Sequence, residues 1–73
     1  MELKLVRSSN LRAVGYDEHS RLLEIAFLSG ASYEYFEVPK DVYRSLMSAT
    51  SHGKFFAAFI RGKYAYRRVI RKI

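Results

Sequence analysis

The side chains most able to do chemistry in this sequence are two histidines and seven carboxylates, and their spacing builds no catalytic site. Ser51 and His52 are adjacent, but a nucleophile and its base also need an orienting acid, and no acidic residue follows Asp41. Asp17 and Glu18 stand in a predicted turn, where carboxylates are solvated rather than paired for acid–base work. Ser51 is better explained as a helix cap, with His52 exposed beside it. The sequence therefore predicts a protein that is not an enzyme.

Metal and phosphate-loop chemistry have no better support in the pattern. The chain has no cysteine and only two histidines, so the ligand spacing of a zinc site does not occur. The four glycines are scattered instead of forming a phosphate-binding loop. We therefore expect neither a metal nor a cofactor.

One segment, residues 54–68, interleaves basic with aromatic side chains. Arginine and lysine neutralise phosphates, and the faces of tyrosine rings stack on unpaired bases. An apolar stripe at helical spacing within this segment is assigned to the core: Phe55, Phe56, Phe59 and Ile60. The remaining residues, with two more beyond the segment, predict a nucleic-acid-binding patch: Lys54, Arg61, Lys63, Tyr64, Tyr66, Arg67, Arg68, Arg71 and Lys72.

The distribution of charge supports that patch. The net charge is +6, and all seven acidic residues lie at or before Asp41. Residues 42–73 hold eight basic residues and no acidic one. A basic surface on a small domain is the electrostatic footprint of a nucleic-acid binder. The alternative is that these charges serve only solubility.

The length of 73 residues allows one domain with a thin core, which leaves homodimer formation open. The longest apolar run, residues 55–60, is six residues long. A membrane span needs about 18 apolar residues, and the first residues lack the apolar run of a signal peptide. We therefore expect a cytoplasmic protein with no membrane partner.

The elements that would position these residues begin with a β-hairpin formed by residues 22–28 and 31–37. A two-residue loop would put Glu34 on the apolar face of the hairpin. A three-residue loop, residues 28–30 with Gly30 in the left-handed region, keeps both glutamates on the other face and is the predicted form. It makes the pairs Phe27–Ala31, Ile25–Tyr33 and Leu23–Tyr35.

That register puts Tyr33 and Tyr35 on the apolar face of the hairpin. Packing in the core is the favoured role for both rings, and a stacking platform for RNA bases is the alternative. A tyrosine can bury its ring and still leave its hydroxyl at an edge.

The remaining elements complete an α+β fold. Residues 11–16 predict a preceding strand, with Tyr16 opposite Arg21 and Val14 opposite Leu23. The leading residues are an edge strand or a loose arm. Residues 39–49 predict an amphipathic helix with Pro39 at its first position, and a second short helix follows a cap at Thr50 or Ser51 and stops at Gly62.

The predicted architecture is therefore a three- or four-stranded antiparallel sheet followed by two short helices packed on one face (β-β-β-α-α). Residues 64–70 are β-prone and can return as a C-terminal strand.

Read in order, the residues resemble the KTSC domain. The resemblance is carried by Ser8-Ser9-x-Leu11-x-x-Val14-x-Tyr16, Leu23-x-Ile25-x-Phe27-x-x-Gly30-x-x-Tyr33-x-Tyr35-x-x-Val38-Pro39, Val42-Tyr43, Ala49-x-Ser51-x-Gly53, and Ile60-Arg61 before Tyr64. It spans roughly residues 6–70 of the single domain 1–73. The family occurs at the C-terminus of some lysyl-tRNA synthetases and as free-standing small proteins of bacteria and phages. The resemblance implies a standalone member, and RNA binding has been suggested for the family.

Two function classes follow from these observations. The first is a small non-catalytic module that binds nucleic acid, RNA above all, through the basic C-terminal patch. The second is a protein–protein interaction or adaptor module, of bacterial or phage origin, with an acidic protein partner. Salt separates them, because phosphate contacts weaken steeply with salt and an aromatic anchor does not.

Overall fold

A computed structural model describes residues 1–70 as a five-stranded antiparallel sheet with two helices. The strands are β1 (Leu3–Leu5), β2 (Leu11–Asp17), β3 (Leu22–Phe27), β4 (Ser32–Tyr35) and β5 (Tyr66–Val69), and the helices are α1 (Lys40–Ser48) and α2 (His52–Phe59). The strands lie side by side in chain order, and both helices fall between β4 and β5 in the sequence. The α+β class and the C-terminal strand are confirmed. The sheet has five strands instead of three or four because β1 pairs with β2 and β5 with β4.

The β3–β4 hairpin has the predicted three-residue loop. Gly30 has a φ of 98°, a left-handed conformation that glycine adopts without a steric penalty. The Phe27 N–H donates to the Ala31 carbonyl at 2.8 Å, which closes the loop. The ladder contains the predicted pairs Ile25–Tyr33 and Leu23–Tyr35. Tyr33 and Tyr35 therefore share a face with the apolar residues of β3.

The predicted pairing between β2 and β3 is wrong by two residues. The observed pairs are Tyr16–Leu23 and Val14–Ile25, where the prediction had Tyr16–Arg21 and Val14–Leu23. The connection is longer than predicted because Arg21 takes a φ of 57° and stays outside the ladder. The Asp17 carboxylate accepts hydrogen bonds from the N–H groups of His19 and Ser20 and holds this turn. A shift of two keeps every side chain on its face, so Val14 still faces the core.

The helix boundaries depend on their caps. Pro39 is the N-cap of α1 and lies one position before the helix, so its predicted place inside the first turn is wrong. Ser51 caps α2, with its hydroxyl accepting from the Lys54 N–H at 3.2 Å. His52 is half-buried instead of exposed, because its Nδ1 lies 2.8 Å from the Leu46 carbonyl. This contact ties the start of α2 to the end of α1.

The core forms between the helices and one face of the sheet. Its buried residues are Leu11, Val14, Leu23, Ile25, Tyr35, Val38, Leu46, Phe56 and Ile60. The predicted core position of Phe59 is wrong: its side chain is 59% exposed and rests on the Phe55 ring. Phe56 and Ile60, four positions apart, face the sheet, whereas Phe59 lies on a different side of α2.

Candidate nucleic-acid interface

An open cleft of about 420 Å³ lies among residues of α2, the turn after it, β4 and β5. Its lining residues are Asn10, Phe27, Tyr33, Tyr35, Phe56, Arg61, Gly62 and Tyr66. We call it the aromatic cleft. Its volume lies in the range of small-ligand sites, about 300–1,000 Å³. No carboxylate and no histidine is among these lining residues, so the polar groups it offers are hydroxyls, an amide and a guanidinium.

The walls of the aromatic cleft are rings that brace one another. Phe56 meets Phe27 and Tyr35 edge to face, with ring centroids 5.4 and 5.6 Å apart. Tyr33 meets Phe27 at 5.9 Å and Tyr66 at 5.7 Å in the same manner. Such separations are those at which aromatic pairs attract beyond the area they bury. The mutual packing holds the rings in place without a bound ligand.

The tyrosine hydroxyls of the cleft have no hydrogen-bond partner in the part of the chain that the structure describes. Within residues 1–70, the hydroxyls of Tyr33, Tyr35 and Tyr66 make no hydrogen bond to another residue. Tyr35 is only 5% exposed, yet no side-chain polar atom of the described residues is both sealed from solvent and unpaired. The Tyr35 hydroxyl therefore opens towards the cleft that the residue lines. A ligand group in the cleft is its available partner.

Burial raises the pKa of Tyr35 to about 12, and the neighbouring Tyr33 and Tyr66 act in the same direction. The positive charge of Arg61 acts weakly against the rise, which places its guanidinium within electrostatic reach of this hydroxyl. Tyr35 therefore remains a neutral phenol at neutral pH and can donate a hydrogen bond.

The return of β5 brings Tyr66 to the cleft. β5 pairs antiparallel with β4, with Tyr66 opposite Tyr35 and Arg68 opposite Tyr33. Opposite residues in a ladder project to the same face, so Tyr66 and Arg68 stand on the face that carries the cleft tyrosines. Tyr66 is 61% exposed and offers an accessible ring at the cleft.

Arg67 points to the reverse face of the sheet and is already engaged. It lies opposite Glu34 in the ladder, and its Nη2 and Nε lie 2.5 and 3.2 Å from Glu34 Oε1. Its guanidinium carbon also stands 5.8 Å from the centre of the Phe36 ring. The structure thus separates Arg67 and Arg68, which the predicted patch groups together.

The other residues of the predicted patch are placed unequally. Arg61 lines the aromatic cleft, and Lys63 is exposed in the turn two residues further on. Lys54 is exposed in the first turn of α2, whereas Arg61 follows the other end of that helix. Tyr64 is half-buried and packs against the core. Arg71 and Lys72 lie outside the described residues.

Asn10 is a cleft residue that the sequence patterns did not single out. Ser8 Oγ accepts from the N–H groups of Asn10 and Leu11 at 3.3 and 3.2 Å, and it donates to Asn10 Oδ1 at 3.2 Å. The backbone carbonyl of Asn10 accepts from the Leu28 N–H, and this bond fixes the backbone at Asn10. Gly53 in α2 leaves the side chain its space, because a Cβ there would collide with Asn10 Oδ1. The Ser-x-Asn spacing before β2 was the available signal for an ordered turn.

Metal binding and membrane crossing have no support in the described part of the chain. Across residues 1–70, no three side chains of the histidine, cysteine or carboxylate type are grouped so that they could hold a metal ion. In the same residues, neither helix has the length and apolar character that crossing a membrane requires.

Comparisons with known proteins agree with the resemblance seen in the sequence. The sequence model of the KTSC domain family matches residues 7–64 of this chain. A protein of Stutzerimonas stutzeri is 39% identical over 70 residues, covering 94% of this chain and 99% of its own. A lysine–tRNA ligase of Nostoc punctiforme is 38% identical over 61 residues, which are 84% of this chain but 11% of the ligase. The crystal structure of a KTSC domain protein from Yersinia pestis superposes with a TM-score of 0.91 at 38% identity and covers 93% of this chain and 96% of the other.

Proposed function

The chain belongs to the KTSC domain family, and we propose that it is a non-catalytic module that binds single-stranded RNA in the cytoplasm. The observation that carries the proposal is the aromatic cleft, where accessible rings lie beside the guanidinium of Arg61 and where the tyrosine hydroxyls have no partner among residues 1–70. Single-stranded nucleic acid is bound by this combination of stacking rings and a positive groove.

Stacking supplies the short-range part of the proposed binding. Tyr66 is exposed at the cleft, and Tyr33 beside it is half-buried. Stacking of a base on one aromatic ring contributes about 1–3 kcal/mol. Duplex RNA keeps its bases stacked on each other, so the cleft favours unpaired bases.

Cations supply the long-range part. Arg61 lines the cleft, and Arg68 stands next to Tyr33 on the same face of the sheet. Lys54 is exposed on α2, and Lys63 is exposed in the turn after it. Of these four side chains, none is ion-paired with a carboxylate of residues 1–70. They are therefore free to contact phosphates, and each contact adds to the salt dependence of binding.

RNA is favoured over DNA by the context of the relatives. A segment similar to most of this chain is part of proteins named lysine–tRNA ligases, and that name places a tRNA among their substrates. The absence of a carboxylate and a histidine from the cleft lining leaves no acid–base pair there for catalysis. Binding without turnover is the function that this set of side chains supports.

The test is a titration of the protein into labelled single-stranded RNA, duplex RNA and single-stranded DNA at about 50 and 200 mM salt. We expect saturable binding that prefers single-stranded RNA and weakens steeply with salt. Tyr66→Ala should weaken binding at both salt concentrations, because stacking is not screened. Arg68→Gln should lower the salt slope by about 0.7 for the lost phosphate contact.

Arg44→Gln is the matched control, since Arg44 lies on α1 near Glu18 and away from the cleft lining. It removes the same charge and should leave the slope nearly unchanged. Absence of binding to all three nucleic acids at low salt would refute the proposal. Binding of an acidic protein that survives high salt would instead support an adaptor role.

A further inference from the structure

We infer that the aromatic cleft selects guanine among the four RNA bases. This rests on the proposed function and adds to it the identity of the base that occupies the cleft. The inference is drawn from the polar groups that line the cleft and from how each is held.

One polar side chain of the cleft can only donate hydrogen bonds, whereas the tyrosine hydroxyls and the Asn10 amide can donate or accept. Arg61 carries a guanidinium, which only donates. The side-chain Oδ1 of Asn10 accepts one hydrogen bond, from the Ser8 hydroxyl, and the NH₂ of the same amide can donate to a ligand. Tyr35 stays protonated and unengaged, and it offers an O–H. No carboxylate lines the cleft to accept from a ligand.

The Arg61 guanidinium in the cleft favours a base edge that carries acceptors. Guanine presents two adjacent acceptors, O6 and N7, and the planar fork of an arginine matches both at once. Adenine and cytosine present an amino group on the corresponding edge, and that group cannot pair with the Arg61 guanidinium, which has no acceptor. Uracil carries acceptors but has the smaller ring and covers less of the aromatic walls.

The arginine that would read guanine is Arg61, not Arg68. Arg61 lines the cleft and acts electrostatically on Tyr35, which is nearly fully buried. Arg68 lies opposite Tyr33 on β5 and is not among the lining residues. Arg61 therefore determines which base is preferred, and Arg68 contributes only charge.

The experiment measures the affinity of the whole protein for four labelled RNAs of sequence AACNCAA, in which N is G, U, A or C. We expect the guanine RNA to bind at least about fivefold more tightly than the adenine and cytosine RNAs, as one good bidentate contact allows. The affinity for the uracil RNA should lie between that for the guanine RNA and those for the adenine and cytosine RNAs.

Two conservative variants identify the reading group. Arg61→Lys keeps the charge but loses the planar fork, so the guanine preference should fall to less than about twofold while the adenine RNA binds as before. Arg68→Lys is the matched control and should keep the full preference.

Gly53→Ala favours α2 but displaces the Asn10 side chain, so it should lower the preference without unfolding the protein.

The outcomes separate the two levels of the proposal. Equal affinity for all four RNAs would overturn the guanine preference and leave RNA binding standing. A preference that survives Arg61→Lys would overturn the role of Arg61. No binding to any of the four RNAs would overturn both the preference and the proposed function.

Discussion

Tyr16 and Tyr35 both lie on this small sheet, and they differ in what their hydroxyls do. Tyr16 and Tyr43 stack face to face, with centroids 4.8 Å apart and planes 9° apart. The Tyr16 hydroxyl donates to the Val38 carbonyl at 2.5 Å. In the aromatic cleft, by contrast, Tyr35 and its neighbours meet edge to face or tilted, and within residues 1–70 their hydroxyls are unengaged.

The difference separates a tyrosine hydroxyl that stabilises the fold from one that is available to a ligand. A tyrosine that donates to a buried carbonyl, as Tyr16 does to Val38, satisfies a group that folding removed from water. Tyr35 buries its ring but leaves its hydroxyl open. That hydroxyl therefore adds no hydrogen bond within residues 1–70 to the stability of the fold.

The largest effect is expected from the wall of the cleft. Phe56 is 4% exposed and contacts Phe27 and Tyr35, so Phe56→Ala should lower the free energy of unfolding by about 3–5 kcal/mol. Phe59→Ala is the matched control on the same helix and should cost less than about 1 kcal/mol, because Phe59 is largely exposed. Urea unfolding measures both. Equal losses would contradict the placement of α2.

The next effect compares the two hydroxyls directly. Tyr16→Phe leaves the buried Val38 carbonyl without its donor and should lower the free energy of unfolding by about 1–3 kcal/mol, with RNA affinity unchanged. Tyr35→Phe should leave the unfolding free energy within about 0.5 kcal/mol and weaken RNA binding. Urea unfolding and RNA titration of both variants check this. If Tyr35→Phe were the more destabilising variant, the claim that only the Tyr16 hydroxyl stabilises the fold would be wrong.

A smaller effect appears at alkaline pH. The pKa of Tyr35 is raised from 10.0 to about 12, because the folded protein disfavours the phenolate. Stability from this group is therefore complete below pH 10 and declines as the pH rises towards 12. Absorbance titration should show one tyrosine ionising near the top of this range, and Tyr35→Phe should remove that step. Persistence of the step in the variant would assign it to another residue.

The smallest effect on stability separates the two faces of β5. Arg67→Gln removes the ion pair between the mostly exposed Arg67 guanidinium and Glu34, and it should cost about 1 kcal/mol, with little change in RNA affinity. Arg68→Gln should leave stability unchanged and weaken RNA binding in low salt. Paired unfolding and binding measurements on the two variants check this. If both arginines contributed equally to RNA binding, the division of β5 between two faces would have no functional meaning.

Much of the fold could be predicted because its determinants are local. The β3–β4 register follows from keeping glutamates away from apolar side chains, and Gly30 supplies the turn conformation that this register needs. The Ser51 cap follows from the chemistry of a helix start. The β2–β3 pairing was wrong because the length of a turn held by Asp17 is not visible in the alternation of the strands it joins.

The candidate site was predicted only in part, because a list of basic and aromatic residues does not say which ones meet. Arg61 and Tyr66 were predicted and line the cleft, whereas Asn10 was missed because it is distant in sequence from both. Phe59 was assigned to the core, because helical spacing alone does not say which of two adjacent stripes of α2 faces the sheet.

By itself, the sequence determined the class of elements, the face of each β3–β4 side chain and the excess of positive charge in the second half of the chain. Those properties depend on residue type and short spacing. Only the tertiary structure decided that Arg67 binds Glu34 while Arg68 stands beside Tyr33, and that Tyr66 reaches Tyr35. The reason is that neighbouring residues of a strand point to opposite faces, and which face holds the cleft is decided by the strand and the helix that pack against it.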